Sequence, residues 1–292
     1  MAERVSVQHR AEELAATLPP LLVAAERVAA TVAQGVHGRR RVGQGETFWQ
    51  FRQYQPGDSA QRIDWRESAK SERLYIRETE WEAAQSVWLW RDDSPSMSYA
   101  STARLPEKRA RADLLLVALA ALLVRGGERV CVLGSGLPPL SGRIALSRIA
   151  AVIDRPVSPG SSLPEFEALP RHAQIVLFSD FLSPLDAVGA AIGRFAASGL
   201  RGHLLQILDP AEETLPFDGR VRFEGMEAEG EVLISRVEAV RDDYVDRLAA
   251  QREGLAAIAR RAGWSFATHR SDRPPHTALL ALYAALAQPM GH

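Results

Sequence analysis

The stretch VWLWRDDSPSMSYAS, residues 87–101, joins a short apolar run to a series of side chains that carry oxygen. Val87 to Trp90 have the β-branched and aromatic character of a strand, and the polar series begins directly afterwards at Asp92. Ligands of open parallel sheets sit outside the carboxyl ends of the strands. The junction is therefore either an ordinary polar turn, in which serines cap the next helix, or a site that holds a cation.

Downstream of this junction, strand-like apolar runs alternate with segments in which apolar residues recur at helical spacing. The further strand-like runs are RVCVLG (129–134), AQIVLFSD (173–180), GHLLQILD (202–209) and WSFAT (264–268). The helical segments are 106–127, with Pro106 in the first turn, 142–154, 185–199, about 240–263 and 277–287. This alternation predicts an α/β fold, in which a mostly parallel, Rossmann-like sheet carries helices on both faces.

Residues 1–86 differ from this pattern, and we expect them to form an N-terminal part that precedes a sheet domain at 87–292. An apolar stripe predicts a helix over roughly residues 9–34, which Pro19-Pro20 should break or kink. The stretch after it is rich in Gly, Arg and Trp, has a turn at residues 56–58 and contains the strand-like run RLYIRET. It predicts a compact, β-rich arm packed on the sheet domain.

Composition and charge narrow the function classes. The chain has 292 residues, is 46% hydrophobic and carries a net charge of -1, so its overall charge favours neither nucleic acid nor an anionic membrane. Arg39 to Arg41 are interpreted as a solvated charge run. A single cysteine, Cys131, suits a reducing compartment. The start lacks the apolar region of a signal peptide, and Leu114–Val124 is too short to span a bilayer. We therefore expect a cytoplasmic protein without membrane insertion.

Three polar segments are expected to meet at one edge of the sheet. Asp92, Ser94 and Ser96 are spaced by two, so an extended turn points all three to one side. Asp180 follows a later strand, and Ser161 lies in a glycine-containing loop before it. Carboxylates and hydroxyls are hard oxygen donors that suit Mg²⁺, which keeps several waters. We predict a Mg²⁺ site at these five residues, with Asp93 facing solvent or capping locally.

The same three segments resemble a known fold. D92-D93-S94-P95-S96, the loop G160-S161-S162-L163 and S179-D180 are similar to the three ligand segments of a von Willebrand factor A domain. The second segment usually carries threonine, where this chain has Ser161. The resemblance implies a metal-ion-dependent adhesion site, whose ion leaves one coordination position open for an acidic side chain of a partner.

A second resemblance lies in FRQYQPGDSAQRIDWRESAKSERLYIRETEWE, residues 51–82. It resembles the signature of the domain-of-unknown-function family numbered 58, and the matching residues are Arg52, Tyr54, Gly57, Asp58, Arg62, Ile63, Asp64, Trp65, Ser68 and Ala69. The later segment LDPAEETLPFDG is similar as well. The resemblance implies a von Willebrand A-like domain directly after the signature and no established enzymatic activity. It also implies that an AAA+ ATPase of the MoxR type is often encoded nearby.

Part of the signature has a structural interpretation. Arg62, Asp64 and Trp65 are expected to form a knot, in which a buried Arg–Asp pair under an indole fixes the arm on the sheet. We favour this role over a catalytic one.

Two functions remain to be weighed. The first is a non-catalytic, metal-dependent protein–protein interaction module that serves an AAA+ ATPase of the MoxR type as adaptor or partner. The alternative is a metal-dependent phosphohydrolase of the haloacid dehalogenase type, which needs an acid/base carboxylate two residues after its nucleophile. Ser94 occupies that position, and no lysine stands near the sequence FSD (178–180) to balance a phosphate charge. The sequence therefore favours the interaction module.

Overall fold

The computed structural model describes residues 20–35, 47–53, 65–70, 73–80, 86–155, 161–170, 173–226 and 230–286. The N-terminal part contains helix α1 (Pro20–Gly35), strand β1 (Thr47–Gln53), the short helix α2 (Trp65–Ser68) and strand β2 (Tyr75–Glu80). β1 and β2 pair antiparallel, with Arg52 opposite Ile76. The pair confirms the strand predicted at RLYIRET. The packing of this arm on the sheet domain stays a prediction.

A five-stranded parallel sheet forms the centre of the molecule. The strands of residues 86–286 are β3 (Ser86–Arg91), β4 (Arg129–Val132), β5 (Gln174–Ser179), β6 (Arg201–Leu208), β7 (Val221–Glu224), β8 (Glu231–Ile234) and β9 (Ser265–Arg270). The central sheet has the order β4-β3-β5-β6-β9, and all its pairs are parallel. β7 and β8 form a separate antiparallel pair. The predicted α/β fold with a mostly parallel sheet is confirmed.

Helices cover both faces of the sheet. They are α3 (Lys108–Arg125), α4 (Gly142–Ile153), α5 (Leu185–Ala197), α6 (Pro210–Thr214), α7 (Arg241–Ala262) and α8 (Pro275–Leu286). Strand side chains alternate between the faces, so Val87 and Leu89 pack with α1, α3, α4 and α8, whereas Trp88 packs with α5 and α7. Cys131 is buried in the core on the same face of the sheet as Trp88, as its apolar surroundings predict. None of the described helices combines the length and the apolar character needed to cross a membrane.

One expectation about helix ends changes. α3 begins at Lys108, with Glu107 as its capping residue, so Pro106 precedes the helix rather than lying in its first turn. The φ restriction of proline also suits an extended residue just before a helix. α1 begins at Pro20, where the missing N–H of proline is harmless, and residues 9–19 lie outside the described ones. α1 packs on α3 and α8, so it belongs to the core of the sheet domain although it precedes residue 86.

The signature region is described only in part. Tyr54, Gly57, Asp58, Arg62 and Asp64 lie outside the described residues. Trp65 begins α2 and is 65% exposed. Because Arg62 and Asp64 lie outside the described residues, the expected Arg–Asp pair under this indole stays a prediction. α2 buries the side chain of Ser68, whose hydroxyl accepts the backbone N–H of Tyr75 at 2.9 Å.

The strand order creates a crevice between β3 and β5. From β3 the chain crosses to β4 on one side, and it later enters β5 on the other side. At such a switch point the loops after the two neighbouring strands lead away from each other and leave an opening at the carboxyl edge. Asp92 follows β3 and Asp180 follows β5, so both stand at this opening.

Candidate functional site

The loops after β3 and β5 meet in a buried polar cluster. The Ser96 hydroxyl donates to Asp180 Oδ2 at 2.7 Å, and Ser94 Oγ lies 3.0 Å from Ser96 Oγ. Asp92 accepts the Ser179 hydroxyl at 2.6 Å and the Ser94 backbone N–H at 2.8 Å. The structure therefore brings together four of the five residues that the sequence predicted, namely Asp92, Ser94, Ser96 and Asp180.

The environment of Asp92 disfavours its charge. The Asp92 side chain is fully buried. Its backbone N–H donates to Phe178 O at 2.9 Å and so extends the pairing of β3 with β5. Burial, with a contribution from the nearby Asp180 carboxyl, raises the pKa of Asp92 to about 6 although two serine hydroxyls counteract it. Any cation placed here would favour the ionised carboxylate.

The fifth predicted residue, Ser161, has a different contact. Its hydroxyl accepts the backbone N–H of Leu163 at 3.2 Å, and the residue is exposed. Serine side chains commonly bond to the backbone two residues on, which keeps the hydroxyl within its own loop. The neighbouring Ser162 Oγ instead lies 2.9 Å from Ser183 Oγ in the loop after β5. Among the contacts of the described residues, the 160s loop thus joins this edge through Ser162 and not through Ser161.

Lys108 is the main residue that sequence reasoning missed. It is the first residue of α3 and fully buried, and its ammonium lies 2.9 Å from Asp180 Oδ2 and 2.5 Å from Glu212 Oε1. Burial alone would lower the pKa of Lys108, but the two carboxylates outweigh it, and the pKa is raised. The expectation that no lysine balances charge beside residues 178–180 is wrong, because the lysine comes from a distant helix rather than from the neighbouring sequence.

A third loop, after β6, completes the cluster. Asp209 and Glu212 form a capping box at the start of α6, in which Asp209 accepts Ala211 N–H and Glu212 accepts Asp209 N–H, both at 2.8 Å. Asp209 also accepts the backbone N–H of Ser101 at 3.0 Å, which ties this loop to the one after β3. The sequence Asp-Pro-Ala-Glu at 209–212 carries the capping signal, but it does not reveal that the remaining oxygen of Glu212 faces Lys108.

Asp93 takes part in a separate ion-pair group. Arg91 pairs with Asp93 and with Asp113, and the Asp93 side chain is 37% exposed. This agrees with its predicted position toward solvent, away from the cluster. Arg109 donates to the carbonyls of Asp93 and Ser94 at 3.0 and 3.2 Å, so α3 also holds the loop backbone in place.

The cluster is rich in negative groups. Four buried or half-buried carboxyl groups, those of Asp92, Asp180, Asp209 and Glu212, share the cluster with the single ammonium of Lys108. Within the described ranges, no three His, Cys, Asp or Glu side chains form an arrangement that could hold a metal by themselves. A cation here would therefore depend on two carboxylates together with serine hydroxyls and water, a donor set that suits Mg²⁺.

Fold and site together define an α/β protein with a parallel sheet and a buried, carboxyl-rich cluster at its switch point. The chain belongs to the family described as protein of unknown function DUF58, whose model matches residues 50–254. An uncharacterised protein of Mycobacterium tuberculosis is 28% identical over 276 residues, which are 89% of this chain and 86% of that protein. An uncharacterised protein of Mycobacterium bovis matches to the same extent.

Two solved structures are similar over most of this chain. An aerotolerance-related membrane protein from Bacteroides fragilis, with multiple mutations to serines, has a TM-score of 0.40 and 18% identity, and the match covers 69% of this chain and 98% of that one. The conserved hypothetical protein BatB from Bacteroides thetaiotaomicron has a TM-score of 0.40 and 16% identity, with 70% of this chain and 98% of that one covered.

Proposed function

We propose that this chain is a non-catalytic interaction module of the von Willebrand A type that binds a protein partner through a divalent cation, Mg²⁺, held at the switch-point cluster. The observation that carries the proposal is the hydrogen bond between Ser96 and Asp180, which joins the loops after β3 and β5 at one point. The residues that would hold the ion are Asp92, Ser94, Ser96 and Asp180. When bound, the cation supplies an open coordination position for an Asp or Glu of the partner.

The donor chemistry supports this function. Asp92 and Ser94 are almost fully buried, whereas Ser96 is partly exposed, so the cluster opens toward solvent at a hydroxyl. Burial, and to a smaller extent the nearby Asp180 carboxyl, raises the pKa of Asp92, so the site disfavours the ionised carboxylate when no cation is bound. A cation would stabilise the carboxylates of Asp92 and Asp180. The loops after β3, β5 and β6 would hold these carboxylates in position before the cation binds. Ser162, which contacts Ser183, is the hydroxyl of the 160s loop best placed to contribute in the role expected of Ser161.

The partner we propose is an AAA+ ATPase of the MoxR type, met in the cytoplasm. The resemblance of the signature at residues 51–82 supports this partner class. The exposed indole of Trp65 within that signature offers a second contact, since tryptophan is enriched among residues that dominate binding energy at interfaces.

One observation favours the alternative, a phosphohydrolase of the haloacid dehalogenase type. Lys108 lies beside Asp180, where such an enzyme would need a cation to balance phosphate charge. Three features oppose it. Asp92 is fully buried with both oxygens hydrogen-bonded, Ser94 stands where an acid/base carboxylate is needed, and Lys108 already pairs with two carboxylates. Turnover of p-nitrophenyl phosphate that Asp92→Asn abolishes would favour the enzyme.

Capture of the partner tests the proposed function. The purified ATPase of the same organism is titrated with wild-type chain, Asp180→Asn and Asp186→Asn, each in Mg²⁺ and in EDTA. Asp186 is an exposed carboxylate in the first turn of α5, so its variant matches the charge change outside the cluster. We expect wild type and Asp186→Asn to bind only with Mg²⁺ and Asp180→Asn to bind in neither condition. Equal binding of all three proteins in EDTA would contradict the proposal.

A further inference from the structure

We propose that Lys108 is a built-in counter-cation of the cluster, which a divalent cation must displace from Asp180 toward Glu212. The inference rests on the proposed function, in which the cluster binds such a cation, and it adds a residue that controls how tightly the cation binds. Lys108 is not a ligand in this account. It sets the charge that the incoming ion meets.

The position of Lys108 is unusual for a lysine. The side chain is fully buried, although lysine is rarely buried without a paired charge. It is also the first residue of α3, where the helix dipole disfavours positive charge. Both the burial and the helix position work against an ammonium here, so the two carboxylates that contact it must hold it in place. A residue that breaks local preferences in this way is typical of a functional site.

Lys108 and Ser96 converge on the same atom. Asp180 Oδ2 accepts the Ser96 hydroxyl at 2.7 Å and the Lys108 ammonium at 2.9 Å. A divalent cation held by Ser96 and Asp180 would therefore stand beside the ammonium in a buried environment. Two positive charges that share one carboxylate oxygen lie close together, and they repel strongly where water does not screen them. The ammonium thus lowers the affinity of the cluster for a cation.

Glu212 gives the ammonium a second partner. Its Oε1 lies 2.5 Å from Lys108 Nζ, and its Oε2 is held by the backbone N–H of Asp209. When a cation takes over Asp180, Lys108 can keep its bond to Glu212 and avoid becoming an unpaired buried charge, which would be costly. Cation binding therefore replaces the Lys108 ammonium at Asp180 with the cation, while the ammonium stays paired with Glu212.

The exchange has a consequence for partner binding. With the ammonium in place, the cluster alone attracts Mg²⁺ weakly. A partner carboxylate adds negative charge at the open coordination position and offsets the repulsion from Lys108. The cation and the partner thus bind together, each raising the affinity for the other.

Calorimetric titration with Mg²⁺ alone tests the proposal. We expect Lys108→Met to lower the Kd for Mg²⁺ at least about tenfold relative to wild type. Arg111→Met is the matched control, because it removes the same charge from the same helix. The Arg111 guanidinium is also nine-tenths buried, but it donates to the carbonyls of Ser271 and Arg273 and not to the cluster. Its Kd should stay within about twofold of wild type.

The outcomes separate this proposal from the proposed function. Mg²⁺ binding by wild type that Lys108→Met leaves unchanged or weakens would overturn the role of Lys108 and leave the cation site intact. Equal tightening in Lys108→Met and Arg111→Met would overturn it too, since the effect would then be one of net charge. Absence of Mg²⁺ binding in both wild type and Lys108→Met would overturn both proposals.

A second pair of variants carries the test if Lys108→Met does not fold. Glu212→Gln removes the negative charge of the ammonium's second partner, so the ammonium pairs more strongly with Asp180 and Mg²⁺ should bind more weakly. Glu213→Gln removes the same charge one residue further along, where the carboxylate pairs with Arg252 and Arg270 instead. We expect Glu212→Gln to weaken Mg²⁺ binding at least about threefold more than Glu213→Gln does. Equal weakening would contradict the exchange.

Discussion

Glu212 and Glu213 are adjacent in α6 and take part in two different kinds of charge group. Glu212 faces inward to the buried Lys108, in a cluster whose carboxyl groups outnumber its ammonium. Glu213 faces outward and binds Arg252 at 2.6 Å and Arg270 at 2.9 Å, and Arg270 also pairs with Asp272 at 2.7 Å. This outer group contains two acids, Glu213 and Asp272, and two arginines, so its charges balance. It is also partly exposed to solvent.

The difference supports the proposal that the inner cluster is the functional site. The outer network links α6, α7 and β9, and solvent screens its balanced charges. It therefore has no excess charge that a ligand would neutralise. The inner cluster is buried, its charge is unbalanced, and the pKa of Asp92 is raised. Natural sequences tolerate such arrangements mainly at functional sites. Gln206 connects the two groups, since it donates to Asp180 O at 2.9 Å and accepts from Arg252 at 3.4 Å.

The largest expected effect comes from breaking the inner pair. Lys108→Ala leaves the Asp180 and Glu212 carboxylates without their buried counter-charge. We expect the free energy of unfolding to fall by about 3–5 kcal/mol, as for other buried ion pairs that lose one partner. Urea denaturation followed by circular dichroism measures this change. A loss below about 1 kcal/mol would mean that the buried ion pair contributes no more to the free energy of unfolding than the outer network does.

A smaller effect is expected for the hydroxyl that joins the loops. Ser96→Ala removes the bond to Asp180 while keeping Lys108 in place. We expect a loss of about 1–2 kcal/mol in unfolding free energy, because the acceptor is charged and buried. Urea denaturation again provides the measurement. Ser147→Ala is the control, since this exposed serine donates only to a carbonyl of its own helix, and it should change stability by less than about 0.5 kcal/mol.

The outer network should contribute less, and its contribution should depend on pH. Hydrogen bonds and charges of Arg252 and Arg270 lower the pKa of Glu213 despite some burial. A lowered pKa stabilises the fold above the ordinary glutamate value and loses this effect as the pH falls through the native pKa. Glu213→Gln should therefore destabilise by at most about 1 kcal/mol at neutral pH.

The same variant gives the pH test. The difference in unfolding free energy between wild type and Glu213→Gln should stay constant from pH 7 down to the ordinary glutamate pKa of 4.5 and should shrink as the pH falls below that value, through the lowered native pKa. Urea denaturation across this range measures it. A difference that grows on acidification would show that the pKa of Glu213 is raised, and the contrast between the two neighbouring glutamates would then fail.

The smallest effect on stability is expected at Trp65. Its side chain is 65% exposed, so Trp65→Ala should change the free energy of unfolding by less than about 0.5 kcal/mol. The same variant should weaken binding of the ATPase, if the arm forms a second contact. Thermal unfolding and a binding titration check both statements. A large loss of stability would instead support the structural role that the sequence suggested for this indole.

The fold and half of the site could be predicted from the sequence for a physical reason. Apolar strand runs fix the parallel sheet, and parallel strands place residues that follow them, such as Asp92 and Asp180, at the same edge. Lys108 could not be found this way, because its ammonium pairs with Asp180 and Glu212, which lie 72 and 104 positions further along the chain. The change from Ser161 to Ser162 depends on local hydrogen bonds that composition does not encode.

An anomalous difference map from crystals grown with Mn²⁺, a divalent substitute for Mg²⁺ with a usable signal, would locate the cation. We expect one peak between the loops after β3 and β5, within about 2.0–2.5 Å of the Ser94 or Ser96 hydroxyl, with Lys108 moved from Asp180 to Glu212. A map without a peak at this edge, in which the Lys108 ammonium still contacts Asp180, would contradict this expectation.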